Sequence, residues 1–387
     1  MRHLIDLEKL SNQTDVFGAS PPAVFVGSYG YPRILAGPLV PPTSQIDTAI
    51  MDQSENWLSK SFDDLLTYRF SLVRGKKPTP VHSARDPDRL LSTMQELVMA
   101  SRPADTEMLL HKPPNLRVLL SARESPFGPS APMVKAVLTE NASVSRSVEK
   151  VAGDTDLRAL PGVVKLYDGG VPQRQITHIF SVGLLGLQAE RRLVPTEWSI
   201  TAVDDILGKR LWREVLRHPL LNDYLLFQHK ALANNVQILL LPTPWMFEAM
   251  EGWLRSPTGY PEGDYELTRG RRDYPQNIAG GYHASRLPVL EYLQRVRRQA
   301  GAIVFLEIYE EWIPLGVWRF REISREALRK PPQRFLQVEE ALVEIGKRLK
   351  WPLERWTNKS ELLGFLRQQK RIDEYFRTES KVFTDLF

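Results

Sequence analysis

Cysteine is absent from all 387 residues. Its absence excludes disulfides, thiolate zinc sites and cysteine nucleophiles. Long apolar runs are also missing. The longest, such as residues 236–241, have strand length, well short of the roughly 18 residues that suggest a membrane span. The N-terminus, MRHLIDLEKLSNQTD, mixes charge with apolar residues and lacks the apolar centre of a signal peptide. No Gly-x-x-x-x-Gly-Lys phosphate loop, nucleophile elbow or paired-histidine metal motif occurs. The expectation is a soluble cytoplasmic protein with no membrane partner, no metal-ligand set and an undetermined cofactor.

What is present is ordinary for a folded chain: 42% hydrophobic and 25% charged residues, over a length that suggests more than one domain. The net charge of +5 leans mildly toward polyanions. Its distribution is uneven. Residues 269–334 hold thirteen Arg or Lys against seven Asp or Glu, so this stretch alone exceeds the charge of the whole chain.

Periodicity predicts helices over 55–75, 88–101, 203–218, 245–254, 285–299, 324–330 and 338–350, and one from residue 360 to 376. Asp86 is the expected cap of the second, with Pro87 in its first turn. Short apolar runs predict strands over 23–26, 116–121, 163–167, 176–182, 236–241, 302–309 and 316–320, the third and fourth separated by Gly169 and Gly170. Residues 76–87 read as a linker. Helices and strands are interspersed without strict alternation. The expected fold class is therefore mixed α/β or α+β, a large mixed-sheet body with flanking helices, a C-terminal helical region and a short tail.

The most specific short signal is QKRIDEYF at 369–376. It fits Gln-x-x-aliphatic-x-x-aromatic-aromatic, the pattern of peptides that dock on the replicative sliding clamp, PCNA. One helical turn puts Ile372, Tyr375 and Phe376 on a single face that can fill an apolar groove. Gln369 brings a donor and an acceptor to a small polar pocket. The alternative is an amphipathic terminal helix with Leu362, Leu366, Ile372 and Phe376 packed on the body.

Several longer phrases carry a resemblance: SPPAVFVGSYGYP (20–32), GPLVPP (37–42), LLSARESPFGPSAP (119–132), RRLVPTEWSITAVDD (191–205), GGYHASRL (280–287) and PLGVWRFRE (314–322). Together they resemble the archaeal Nre family of DNA-repair proteins. The resemblance implies a role in the DNA-damage response, a PCNA partner bound through the C-terminal motif, and work on DNA. It also implies an N-terminal-type domain over 15–268, a basic C-terminal-type domain over 269–358, and a tail over 359–387. Many family members begin with a four-cysteine zinc finger, which a chain without cysteine cannot form.

Three polar groupings in the body are candidate sites. Ser121, Arg123 and Glu124 follow an expected strand, where Arg123 could clamp a phosphate; the alternative is a structural Arg–Glu pair. Asp204 and Asp205 are adjacent and so point in different directions. Joined by a distant carboxylate such as Glu248, Asp264, Glu266 or Glu307, one of them could hold a metal ion for hydrolysis of nucleic acid. That would make a metal-dependent nuclease or nucleotide-processing enzyme with a cleft near Arg123, Asp204 and Asp205. The simpler reading has Thr201 and Asp204 capping a helix from residue 206. Arg269, Arg271 and Arg272, set among Tyr265 and Tyr274, suit phosphate contact and base stacking, as do Arg319, Arg321 and Arg325 beside Trp318. His283 reads as a structural histidine.

Overall fold

A computed structural model describes residues 10, 12–44, 47–116, 125–256 and 259–368. It divides the chain into two compact units. The first runs to Glu214 and includes Glu311–Glu326; the second holds Val215–Glu310 and the residues from Ala327 onward.

In the first unit, strands β1 (Asp15–Ser20), β2 (Val24–Val26), β3 (Arg33–Val40), β4 (Val73–Pro80), β5 (Ala104–Leu110) and β6 (Ser130–Leu138) form one sheet in the order β1-β5-β6-β4-β3-β2. Only β4 and β6 pair in parallel. The reason β5 is a strand is visible in its alternation: Ala104, Thr106, Met108 and Leu110 are buried and the residues between them are not. Val16, Val40, Val73, Leu90, Met108 and Met133 share one core. At the β3–β4 crossing a side chain on Gly37 would come within 2.0 Å of the Gly75 carbonyl, so only glycine allows this approach.

Helices α1 (Phe62–Phe70), α2 (Arg89–Met99), α3 (Arg146–Gly153), α4 (Ala159–Asp168), α5 (Gln173–Ser181) and α6 (Thr196–Val215) complete this unit. Ser61 and Asp64 close a capping box on α1. Asp88, not Asp86, caps α2 by accepting the Leu91 N–H.

The second unit is built on β7 (Tyr224–Ala231), β8 (Asn234–Leu241), β9 (Phe247–Trp253), β10 (Glu262–Glu266), β11 (Gly301–Ile308) and β12 (Gln333–Phe335), in the order β10-β9-β11-β8-β7-β12. Here β9 and β11 are the parallel pair. Every residue of β8 and β11 is buried, as expected of central strands. Helices α7 (Ala279–Val296), α8 (Trp318–Arg329, beginning in the first unit), α9 (Val338–Gly346), α10 (Leu353–Thr357) and α11 (Glu361–Gln368) follow.

Leu239, Ile303, Phe305, Ile345, Trp356 and Leu362 meet in the core of the second unit. Trp356 fits there because position 252 lacks a side chain: a Cβ at Gly252 would stand 2.5 Å from its indole. Gly252→Ala is therefore expected to cost about 1–3 kcal/mol through overpacking. Urea melts of the two proteins check this, and equal midpoints would refute the packing argument.

Several expected elements are corrected. Residues 163–167 lie in helix α4 and 176–181 in helix α5, rather than in strands. The helix expected over 55–75 shortens to α1, and the supposed linker 76–87 contains most of β4 and a 3-10 turn at Val81–Arg85. Residues 245–254 hold strand β9, and 316–320 lead into α8. Of the strand expected over 116–121, residues 117–121 lie outside the described residues. The expected terminal helix is described to Gln368 as α11.

Candidate functional site

The first unit buries a dense ionic cluster around Asp52, the last residue of a short 3-10 turn, Ala49–Asp52. Arg69 Nη1 donates to Asp52 Oδ1 at 2.6 Å. Arg174 grips both oxygens, Nη2 at 2.6 Å and Nε at 3.0 Å. His178 Nε2 lies 2.8 Å from Oδ2. Arg174 and His178 are four residues apart on α5, so one helix face delivers both. Arg69 also donates to the Met51 and Pro126 carbonyls.

Burial opposes the charge on Asp52, but Arg174, His178 and Arg69 together hold its carboxyl well below the usual carboxylate range. Burial pushes the His178 imidazole down, against the pull of Asp52. A neutral ring that donates its Nε2 proton to Asp52 presents Nδ1 as an acceptor. Nδ1 is buried and has no hydrogen-bond partner among the described residues.

A second cluster joins the first through α5. Asp204, on α6, accepts from Arg321 Nη1 at 2.9 Å on each oxygen, and from the Gln173 amide. Gln173 in turn accepts from Arg325 Nη2 at 2.6 Å, and Arg325 and Arg321 both pair with Glu322. Asp204 thus sits inside α6 and does not cap it. Its neighbour Asp205 points the other way, half-exposed and paired with Lys209 at 2.7 Å.

Above the Asp52 cluster opens a cleft of about 480 Å³. Its walls include four prolines: Pro21, Pro22, Pro103 and Pro172. Glu55 stands on its rim, exposed at the surface yet crowded by protein on its inner side. Burial raises its pKa, and the nearby Glu322 and Asp52 add to the rise. A smaller hollow of about 250 Å³ shares Arg174 and His178 with the cleft. It also takes in Ser125, whose buried Oγ has no partner among the described residues.

In the second unit, Glu248 on β9 accepts from Ser360 Oγ at 2.5 Å and from the Glu361 N–H at 2.8 Å. It thereby clamps the N-terminus of α11. Burial outweighs these bonds and raises its pKa to about 7. The folded state therefore favours the protonated acid. Its contribution is full below the ordinary pKa of 4.5 and disappears as pH rises through about 7. Glu248→Gln should remove up to about 3 kcal/mol of this pH dependence. Denaturant melts of wild type and variant between pH 5 and 8 would show it, and parallel curves would contradict it.

The other three carboxylates named from the sequence are engaged as well. Asp264 accepts from the backbone N–H groups of Asn277 and Ile278, Glu266 holds Arg286 and Trp245, and Glu307 caps the chain at Lys350 and Trp351. Among the described residues, no three His, Cys, Asp or Glu side chains are grouped to hold a metal ion. Nor is any helix long and apolar enough to cross a membrane.

Two family models cover nearly the whole chain: "Archaeal Nre, N-terminal" over residues 1–258 and "Archaeal Nre, C-terminal" over 266–375. This chain belongs to the archaeal Nre family. It is 36% identical to the DNA repair protein NreB of Archaeoglobus fulgidus, over 93% of this chain and 92% of that protein. It is 35% identical to the DNA repair protein NreA of the same organism, over 93% of each. Identity to the Haloferax volcanii DNA repair protein NreA is 36%, over 81% of this chain and 78% of that one. No solved structure matches.

The sequence-predicted residues of this Nre chain are scattered. Ser121, Arg123 and Glu124 lie outside the described residues, as does the whole motif Gln369, Ile372, Tyr375 and Phe376. Arg271 is tied to Asp264 and to the Tyr265 carbonyl, and its N–H to Glu266, so it shapes its own loop. Arg269 and Arg272 are exposed in that loop beside exposed Tyr265 and Tyr274. Arg319 and Arg321 are buried, the latter held by Asp204. His283 is buried between the rings of Tyr274 and Tyr282.

The cluster of Asp52, Arg174 and His178 was not singled out from sequence. Its signal was the four-residue spacing of Arg174 and His178, which is informative only if residues 173–181 are read as a helix.

Proposed function

We propose that this protein is a DNA-repair factor brought to DNA by the sliding clamp PCNA, which it binds through Gln369, Ile372, Tyr375 and Phe376. Three curated relatives carry the name DNA repair protein. The observation that carries the clamp reading is the complete motif at 369–376, which begins one residue after α11 ends. Leu362 and Leu363 of α11 are buried in the core of the second unit, while Phe365, Arg367 and Gln368 are exposed. The helix thus anchors the chain immediately before the motif, and Glu248 fixes its start. A short tether raises the effective concentration of the body wherever the clamp sits.

DNA contact is assigned to Arg269 and Arg272 with Tyr265 and Tyr274, a pairing that suits phosphate and base-stacking contacts. The test of docking is co-elution of the full chain with purified clamp on size exclusion, set against a variant ending at Gln368. Co-elution of the full chain alone supports the reading, and co-elution of both refutes the role of the motif.

A further inference from the structure

We propose that the outer face of the first sheet, across β3, β4 and β6, binds single-stranded nucleic acid, with phosphates on Lys76 and Lys112 and a base on the exposed rings of Tyr31 and Trp198. The proposal rests on the reading of the protein as one that contacts DNA. It concerns the first unit, whereas Arg269 and Arg272 belong to the second.

Strands β6, β4 and β3 are neighbours in the sheet. They carry Arg33, Arg74, Lys76, Lys77 and Lys135 and no acidic residue. The loop after β5, residues 111–115, adds Lys112 and again no acid. Alternation along β4 sorts these cations. A side chain at Gly75 would meet Met108 and Met133 of the core, so Lys76 beside it points to the opposite face. Lys77 returns to the core side, where it pairs with Asp88. Lys76 stands next to Pro132 of β6, whose carbonyl accepts the His111 N–H, one residue before Lys112. Leu35 and Pro78 are cross-strand partners on the outer face, as are Arg33 and Pro80, and all four are exposed. With exposed Val134 and Pro132 added, this open face is more apolar than solvation alone requires.

Its charge is crowded and uncompensated. Burial lowers the pKa of Lys76, and Arg74 and Lys112 lower it further. Arg33, Lys76 and Lys112 form no ion pair with any described residue. The acids of the sheet, Asp15, Asp105 and Glu107, lie on β1 and β5, and Glu107 is matched by Lys135. An anion beside Lys76 and Lys112 relieves this repulsion. Where β3 begins, the surface turns aromatic. Tyr31 and Trp198 are each nearly half exposed, with ring centroids 5.5 Å apart. Rings open to solvent beside cations form a stacking platform. Four strand residues separate Lys76 from Pro80, the partner of Arg33, a span of roughly 13 Å that a few nucleotides cover. A single strand alternates phosphates with bases whose faces are free. An acidic peptide satisfies only the cations, and duplex bases are stacked out of reach.

The experiment is fluorescence anisotropy of a labelled single-stranded oligonucleotide with the full-length protein over a series of salt concentrations. Lys76→Ala with Lys112→Ala should weaken binding roughly tenfold and lower the slope of log affinity against log salt by about 0.7 per lysine. Arginine at both positions should restore affinity and slope, which separates charge from folding. Trp198→Ala should weaken binding about tenfold with slope and melting temperature unchanged. Undiminished binding by either variant, an equal effect of Trp198→Ala on duplex DNA, or displacement by polyglutamate as readily as by unlabelled oligonucleotide would overturn the proposal. Arg269→Ala with Arg272→Ala is measured alongside. A loss in that variant alone would overturn this face and leave the assignment to Arg269 and Arg272 standing; a loss in the lysine variant alone would do the reverse. None of these outcomes bears on clamp docking, which the variant ending at Gln368 tests separately.

Discussion

Asp52→Asn lowers the stability of the protein by about 3–5 kcal/mol, because it leaves buried arginine charge without its counter-ion. Arg69 and Arg174 both close on this one carboxylate at 2.6 Å, with their side chains 2% and 10% exposed. Asparagine keeps the shape but not the charge. Asp205→Asn is the matched control: its partner Lys209 is half-exposed, and such pairs contribute under about 1 kcal/mol. Thermal melts should separate the two variants by roughly 10 °C. Similar losses in both would show that the buried cluster is not what holds the first unit.

The pH dependence of this cluster runs opposite to that of Glu248. Asp52 and His178 have depressed folded pKa values, so their contributions are present at neutral pH and lost on acidification. For His178 the loss begins as pH falls below its ordinary 6.5, and for Asp52 below 3.8. Glu248, raised to about 7, is lost as pH rises.

How much of this was legible in the sequence depended on whether local pattern and tertiary setting agreed. The strand at 236–241 and the helix around 203–218 were readable because a run apolar but for Gln237 and a long helical period each have one natural reading. The segment Phe-Glu-Ala-Met-Glu-Gly-Trp falls inside the helix expected over 245–254, and its Glu, Ala and Met do favour helices. It forms β9 because β10 and β11 flank it, and pairing on both edges overrides propensity. In α5 the β-branched Ile176, Thr177 and Ile179 suggested a strand. Yet Ile176, Ile179 and Phe180 follow helical spacing. That misreading hid the site, since only a helix places Arg174 beside His178. Asp52 was invisible for another reason: it meets its partners across separations of 17, 122 and 126 residues, which no local pattern encodes. The proposed clamp motif is the reverse case, a signal carried wholly by local spacing.

The second large effect is expected at that motif. In the proposed docking Ile372 and Phe376 would supply the aliphatic and aromatic anchors, and interface anchors of this kind cost about 2 kcal/mol or more each when truncated. Ile372→Ala with Phe376→Ala should therefore weaken clamp binding about a thousandfold, leaving the melting temperature unchanged. Leu362 and Leu363, which pack into the core of the second unit, lie outside the altered segment. The deciding measurement is calorimetric titration of purified PCNA into the wild-type chain and into this double variant. Measurable heat and a defined affinity for the first, with none for the second at equal stability, is the predicted result. Undiminished binding by the double variant would contradict clamp docking through residues 369–376.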